Sequence, residues 1–407
     1  MTAEFRVNQP LYILFLLGLS FSSNSMESIS DEKLSNYSGQ AFITIDASSY
    51  SDGAGDFSGN YEFTKVNFGV DVETLINVDE LRIGEFERSY NDGDVGALEY
   101  VANPNFDDTD PNSSPYIPVT DADGNVPVPD ADIIIQNFAL GRVDNYNYKE
   151  VGDDEPVIVP FKIRDPYIEL AYKMDTNGIR RIAGLRLGFG AAMGDLSGDL
   201  LTLTGNLEGR IDGVASTALD ELDCTVEWFL CGVSALDSGL KIYGPVQFVD
   251  PETGEGTRGG TYIKRATYMG VAEGAQLSSD DLALGFLPAD WLVEYLSSSE
   301  NCKTFGLGGC FKLTNYQSVY IGNKNANSFE EGAAEGAFIS LQNEAVPWEN
   351  LSGVGEDRIL AERGAFLNIT KFKDSSGNIH YPIYLDLYNA LTGEPRVATC
   401  IGRTKGC

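Results

Sequence analysis

The chain has 407 residues, of which 43% are hydrophobic and 11% aromatic, so it can bury a sizeable core. Its 61 acidic residues against 28 basic ones give a formal net charge of −33. Self-repulsion of that size excludes DNA, RNA and anionic membrane surfaces as main partners.

The N-terminus has the features of a secretory signal peptide. Arg6 precedes an apolar run at residues 11–23, and the small residues Ser23 and Ser25 stand just before Met26. This run is shorter than the roughly 20 apolar residues that a transmembrane helix needs. We therefore expect residues 1–25 to be a signal peptide and residues 26–407 to be a β-rich exported body without a transmembrane span. The expected location is the periplasm, the outer-membrane surface or the extracellular space.

The first part of the body alternates apolar and polar residues, as in "AFITID" and "YEFTKVNFGVDVETL", which predicts strands. Residues 103–130 are instead rich in Asp, Pro and Gly, which predicts an acidic loop or hairpin insertion. The charge is concentrated around it, because residues 46–132 hold 20 acidic residues and three basic ones.

Four residues of this region could hold a cation. Asp121, Asp123, Asn125 and Asp132 stand at positions 1, 3, 5 and 12 of a calcium-loop count. Gly124 falls at position 4, whereas a helical calcium loop has its glycine at position 6, so an Asp-Gly hairpin turn is the favoured alternative. Calcium is the only cofactor that the sequence suggests.

Strand patterns resume at residue 131 and lead into a glycine-rich run, residues 179–213, with eight glycines between short apolar alternations. The spacing predicts short strands joined by tight turns. The segment "GFGAAMG", Gly188 to Gly194, fits a dinucleotide-binding variant, but the residues that follow alternate like a strand. Turn positions between strands are therefore the preferred interpretation of these glycines.

The six cysteines form three pairs with short intervals: Cys224 and Cys231, Cys302 and Cys310, Cys400 and Cys407. Six cysteines allow 15 pairings, and the short intervals favour three local disulfides, which are typical of an oxidising compartment. Metal sites or unpaired thiols are the weaker alternative, because no site offers four ligands and the chain has a single histidine, His380.

The segment "WLVEYL" is the best helical candidate, with Asp290 as the expected N-cap, and strand patterns return after it. The sequence therefore predicts an all-β protein with a large sandwich-like or curled antiparallel architecture and one or two short helices. A β-solenoid-like stack is the alternative, and the body could be divided near residues 214–235.

No arrangement of residues points to catalysis. Any mechanism that needs a histidine has to use His380, and no nucleophile elbow of the G-x-S-x-G type occurs. Paired carboxylates of the kind that glycosidases use cannot be selected among 61 acids. The three tryptophans, Trp228, Trp291 and Trp348, could line a sugar-binding surface or belong to the core.

The segment "MESISDEKLSNYSGQAFITID", directly after the signal peptide, resembles the start of exported Gram-negative proteins of unknown function, some provisionally linked to pilus or filament systems. The stretches "DPYIELAY", "ERGAFLNI" and "RVATCIGRTKGC" are similar to that group in style. The resemblance implies export, a β-rich body and surface assembly with other surface or pilus-system proteins.

The function that we expect is that of an exported, surface-associated structural, adhesive or assembly protein without enzymatic activity. The alternative is a secreted carbohydrate-binding or carbohydrate-acting protein that uses aromatic and acidic side chains. Exposed aromatic residues in a groove would favour the alternative, and an open edge strand would favour assembly.

Overall fold

A computed structural model describes residues 42–400, except 53–58, 94, 108, 111, 153, 154, 176, 218–231, 233–238, 258–261, 281, 285, 286 and 375. The signal-peptide prediction, residues 1–25, and most of the candidate boundary at 214–235 lie outside the described residues. The chain divides into residues 1–42, of which only Phe42 is described, and one compact unit, Ile43–Cys407.

Strands dominate the structure, with 54% of the residues in strands and 9% in helices, which confirms the all-β prediction. The first strands are β1 Ile43–Asp52, β2 Gly59–Phe68, β3 Asp71–Thr74, β4 Ile76–Glu85, β5 Tyr100–Ala102, β6 Tyr116–Pro118, β7 Ala131–Leu140, β8 Arg142–Asp144, β9 Val157–Val159, β10 Phe161–Met174, β11 Arg180–Val214, β12 Lys241–Phe248, β13 Ile263–Ala266 and β14 Tyr268–Gly270. The later strands are β15 Ser278–Asp280, β16 Ala283–Leu284, β17 Leu287–Pro288, β18 Lys303–Thr304, β19 Leu307–Gly308, β20 Cys310–Lys312, β21 Ser318–Ile321, β22 Ala334–Glu335, β23 Phe338–Gln342, β24 Val346–Glu349, β25 Arg358–Ala361, β26 Gly364–Ile369, β27 Phe372–Lys373, β28 Ile379–His380 and β29 Tyr384–Asp386.

The helices within the described residues are short: α1 Tyr148–Val151, α2 Asp290–Leu296, α3 Phe329–Gly332 and α4 Leu387–Thr392, with 3₁₀ turns at Tyr90–Asp92 and Leu313–Asn315. The predicted helix is α2, but Asp290 is its first residue and Ala289 is the N-cap. The Asp290 carboxylate does not cap the helix, because it accepts a hydrogen bond from the backbone N–H of Leu282 at 2.6 Å. The expected cap is therefore wrong, while the helix is confirmed.

One strand, β11, organises the sheet. It runs for 35 residues through the whole glycine-rich segment and pairs along its length with nine other strands. The prediction of short strands joined by tight turns in this segment is wrong. In the part of the chain that the structure describes, only β26 and β29 pair with β11 in parallel. The other strands that pair with β11 are antiparallel to it, which differs from a solenoid-like stack.

The glycines keep β11 continuous instead of ending it. Gly205 has a φ of +139°, and a Cβ atom there would lie 1.9 Å from the carbonyl oxygen of Leu367. A Cβ at Gly188 would lie 2.0 Å from the ring of Tyr167. Close approach of a neighbouring strand and of a neighbouring ring therefore requires glycine at these positions.

Two clusters of buried apolar side chains pack against the strands that form the candidate site. The larger one contains Leu203, Leu207 and Ile211 of β11 together with Val246 and Phe248 of β12. The second cluster, which we call the tryptophan cluster, packs Tyr61 and Phe63 of β2, Phe338 of β23 and Phe366 of β26 against Trp348 of the β24–β25 hairpin. The hairpin thus covers one side of the sheet that begins at β1.

Candidate functional site

The side of that sheet opposite Trp348 is aliphatic and exposed. The antiparallel register aligns Ile45, Val66, Ile168, Leu187 and Ile339 across β1, β2, β10, β11 and β23, and we call this line the aliphatic row. The side chains of Ile45, Ile168 and Leu187 are 69%, 39% and 46% exposed. An antiparallel sheet with one solvated side normally presents polar residues there, so this surface is unusual for a chain of such high charge.

Neighbouring residues widen the row into a surface, which we call the outer face. Ile43 lies opposite Phe68 next to the row on one flank, and Leu185 lies opposite Leu341 on the other. Ile43 is 48% exposed and Leu341 is 42% exposed. The outer face therefore extends over five strands and ends at β1.

Among the described residues, strand β1 is an open edge. All ten of its residues pair with β2 in an uninterrupted register, and the next strand, β10, pairs with β2, β3 and β11. The sequence of β1, ITIDASSYSD, contains no Lys, Arg or Pro, its one charge before the last residue is Asp46, and the register shows no bulge. Natural proteins usually protect edge strands with such residues or with bulges, and a long unprotected edge is a template for another strand.

A cleft of about 1500 Å³ opens on the inner side of β1, where Tyr50 forms part of its lining. Its walls come from residues 90–100, the turn 249–256, strand β13 and the β24–β25 hairpin. Its charged lining residues are Asp250, Glu252, Glu255, Glu349, Glu356, Asp357, Glu362, Lys264 and Arg358. Among the described residues that line the cleft, seven acids stand against two bases, so this part of the lining is strongly negative.

Hydrogen bonds hold the tyrosines of the cleft in place. The Tyr90 hydroxyl donates to the Glu252 carboxylate, and burial together with this bond raises the pKa of Tyr90. The Tyr262 hydroxyl accepts from the backbone N–H of Glu362 at 2.5 Å, and burial raises the pKa of Tyr262. Burial also raises the pKa of Asp250. These groups stay protonated longer than usual as pH rises, so the hydroxyls keep their hydrogens.

Two of the tyrosine rings that line the cleft lie against other side chains. Tyr262 meets Phe366 edge to face, with ring centroids 4.7 Å apart. The guanidinium carbon of Arg358 lies 4.7 Å from the centroid of the Tyr50 ring. The cleft therefore offers mainly carboxylate oxygens, which can accept hydrogen bonds from hydroxyl or amino groups of a ligand.

The residues of the calcium prediction fall into two separate environments. The Asp121 carboxylate accepts the backbone N–H groups of Asp123 and Asn125 at 2.9 and 2.8 Å, inside a turn with Gly124 at a φ of +83°. Asp132 is fully buried and forms ion pairs with Arg265 and Arg88 at 3.1 and 3.2 Å. The structure thus brings Asp121, Asp123 and Asn125 together and gives Asp132 cationic partners.

The turn at Asp121 is one of three copies of the same hairpin turn. Asp175 and Asp374 likewise accept the backbone N–H groups two and four residues ahead, at 2.7 to 2.9 Å. Each turn has glycine at its fourth position with φ between +75° and +89°. The shared pattern Asp-x-x-Gly in the sequence was the signal for a side-chain-supported turn. Among the described residues, no group of three or more His, Cys, Asp or Glu side chains is arranged to hold a metal ion.

The disulfide between Cys302 and Cys310 is present, which confirms that pair. It packs with Tyr100 and Val249, two residues that also line the cleft. Cys400 is also disulfide-bonded, whereas Cys224, Cys231 and Cys407 lie outside the described residues.

Of the remaining candidates, those that the structure describes are not among the residues that line the cleft. Trp348 is buried in the tryptophan cluster, Trp291 is 64% exposed on α2, and Trp228 lies outside the described residues. His380 makes a 2.8 Å contact with the Asp374 carboxylate and stacks on Phe372. The sequence alone did not indicate the outer face or the cleft, since both depend on which distant segments become neighbours.

No protein-family model matches the sequence, and neither a curated protein nor a solved structure is detectably similar to it. In the described part of the chain, no helix has both the length and the apolar character that crossing a membrane requires.

Proposed function

We propose that this chain is an exported, surface-associated assembly component that binds another polypeptide by strand addition at β1. The observation that carries the proposal is the aliphatic row, which ends on an unprotected ten-residue edge. An added strand would continue the backbone ladder at this edge and would cover the flank of the aliphatic row at Ile45. Strand addition takes its affinity from main-chain hydrogen bonds and its selectivity from alternate side chains.

The role that we propose is structural and does not involve catalysis. The disulfide at Cys302 and Cys310 supports an oxidising location, because such bonds persist where thiols are not kept reduced. The negative charge supports partners other than nucleic acid. The resemblance at residues 26–46 to proteins linked to pilus or filament systems supports surface assembly.

The test is Ile45→Lys in the cells that export the protein. Ile45 is 69% exposed, so the lysine leaves the fold intact, while its charge at the edge disfavours an incoming strand. We expect the variant to be exported normally and to pass into the medium, whereas the wild type stays on the cell surface. Ile158→Lys on β9, 48% exposed, is the matched control and should be retained. Surface retention of Ile45→Lys at the wild-type level would overturn the proposal.

A second candidate function is carbohydrate binding in the cleft, favoured by the combination of four tyrosines with carboxylates in about 1500 Å³. Carboxylates and tyrosine hydroxyls are suitable partners for the hydroxyl groups of a sugar. A glycan array tests it directly with the purified protein. A glycan that binds the wild type and is lost on both Glu356→Gln and Tyr90→Phe would support this function, and an array without hits would dismiss it.

A further inference from the structure

We propose that the strand added to β1 is the β1 strand of a second copy, paired antiparallel about Ala47. This inference rests on the proposed function and names the partner at the same edge. It goes further by specifying the register, the symmetry and the response to salt.

The sequence of β1 is complementary to itself in this register. About a two-fold axis at Ala47, the pairs on the outer face are Ile43 with Ser51, Ile45 with Ser49, and Ala47 with Ala47. The pairs on the inner face are Thr44 with Tyr50 and Asp46 with Ser48. No two carboxylates oppose each other in this register, and like charges directly opposite would be destabilising. Every pair unites residues of the same face, as antiparallel pairing requires.

Registers whose axis is shifted by one residue in either direction are less favourable for pairing. An axis at Asp46 would place two copies of that carboxylate opposite each other, which costs energy. An axis at Ser48 would leave Ile43 beyond the paired segment, and Ile43 is 48% exposed in the single chain. An axis at Ile45 also avoids a charge clash, but it pairs only residues 43–47 of β1, whereas the axis at Ala47 pairs residues 43–51 and engages both isoleucines.

Pairing about this axis joins the outer faces of the two copies. The aliphatic row reaches the edge at Ile45, and the partner's Ala47 would lie diagonally next to that side chain. The interface is isologous, so the same patch serves both copies and assembly closes at two. The dimer would place ten strands side by side, and the two aliphatic rows would be offset along the seam, because Ile45 lies opposite the partner's Ser49.

The second copy would also contribute to the cleft. Tyr50 lies on the inner side of β1 and lines the cleft. In the proposed register the partner's Thr44 lies opposite Tyr50, at the rim. Ligand access to the cleft would therefore depend on whether the edge is paired.

Net charge opposes this dimer, which gives it a recognisable salt dependence. Each copy carries −33, so repulsion weakens association when the screening length is long. The screening length falls from about 10 Å at 0.1 M salt to about 3 Å at 1 M. Sedimentation of the purified mature protein should therefore show a dimer fraction that increases with sodium chloride concentration.

Engineered cysteines test the register. Residues directly opposite in an antiparallel pair have Cα atoms about 4.5 to 5.5 Å apart, within the range that a disulfide spans. Ala47→Cys should therefore form a covalent dimer on mild oxidation, seen on a non-reducing gel. Ser51→Cys is the matched control and should stay monomeric, because its copies would be eight positions out of line, roughly 26 Å.

The outcomes separate this inference from the proposed function. Cross-linking of Ala47→Cys, together with loss of the dimer in Ile45→Lys but not in Ile158→Lys, supports pairing with a second copy. A protein that stays monomeric at high salt and does not cross-link at Ala47→Cys overturns it. If Ile45→Lys is nevertheless released from the cell surface in that case, the proposed function stands and the added strand comes from another protein.

Discussion

Glu169 and Arg186 lie directly opposite each other on β10 and β11 and form an ion pair that solvent does not reach. Their side chains are 4% and 0% exposed, and the guanidinium also donates to the carbonyl oxygen of Glu349 at 2.7 Å. The guanidinium carbon lies 5.1 Å from the ring centroid of Trp348. The pair thus lies directly beneath the aliphatic row, on the packed side of the same strands.

Removing one member of this pair should be costly. Arg186→Met leaves the Glu169 carboxylate buried without a counter-charge, and we expect a loss of about 3–5 kcal/mol in the free energy of unfolding, measured with urea. The double variant Arg186→Met/Glu169→Met should recover most of that loss, because no buried charge remains. Lys162→Met breaks the exposed pair with Glu73 and should cost less than about 1 kcal/mol. Equal losses in the single and double variants would contradict this account.

Asp132 should matter for stability far more than its neighbours in the acidic region. Its carboxylate pairs with Arg265 and Arg88 and accepts the backbone N–H of Ala365 at 2.9 Å. Asp132→Asn removes the charge that balances a fully buried guanidinium, and we expect a loss of about 3–5 kcal/mol by urea unfolding. Asp123→Asn, at an exposed position, should stay within about 0.5 kcal/mol of the wild type. A similar effect of the two substitutions would show that Asp132 is not a structural charge.

The sequence predicted the strands, the helix at residue 290 and the disulfide at Cys302, because each depends on local patterns of a few residues. It did not predict the outer face, since Ile45 and Ile339 belong to one row only through the register of five strands. Asp132 is a second example of an environment that the local sequence does not predict. Its place in a calcium-loop count is a local property, while its partner Arg265 is 133 residues away.

The glycine-rich segment shows why a glycine in the sequence does not by itself predict a turn. Glycine usually predicts a turn, but in β11 it serves contacts with other strands that the sequence does not reveal. Gly205 is needed because Leu367 approaches from β26, and β26 follows more than a hundred residues later. The same residue type therefore marks a turn at Gly124 and a close strand contact at Gly205.

Gly205→Ala should destabilise the sheet. The added Cβ would lie 1.9 Å from the Leu367 carbonyl oxygen, and the φ of +139° disfavours any side chain. Overpacking and the strained backbone together should cost about 3 kcal/mol or prevent folding, as followed by urea unfolding and by the yield of soluble protein. Gly308→Ala is the control, because its Cβ would have only the Tyr116 hydroxyl at 4.0 Å, and it should change stability by less than about 0.5 kcal/mol. Wild-type stability in Gly205→Ala would require β26 to move away from β11.

The stability that the turn at Asp374 contributes should decrease at low pH. The hydrogen bond with His380 and then the backbone N–H of Asn378 hold the pKa of Asp374 well below its usual range. A carboxylate with a lowered pKa stabilises the folded state above its unfolded value of about 3.9, and this contribution is lost as pH falls toward the folded value. The gap in melting temperature between wild type and Asp374→Asn should therefore be constant above about pH 5 and shrink below about pH 4.

Asp175→Asn is the matched control for that measurement. Asp175 accepts the same two backbone N–H groups in its turn but has no histidine partner, and its nearest cation is Arg181 at 3.6 Å. We expect a smaller gap in melting temperature there at pH 5, because this turn lacks the contact with His380. If the two substitutions lower the melting temperature equally at pH 5, the contact with His380 contributes nothing and the backbone of the turn alone stabilises the aspartate. If the gap for Asp374→Asn widens as pH falls, the assigned direction of its pKa is wrong.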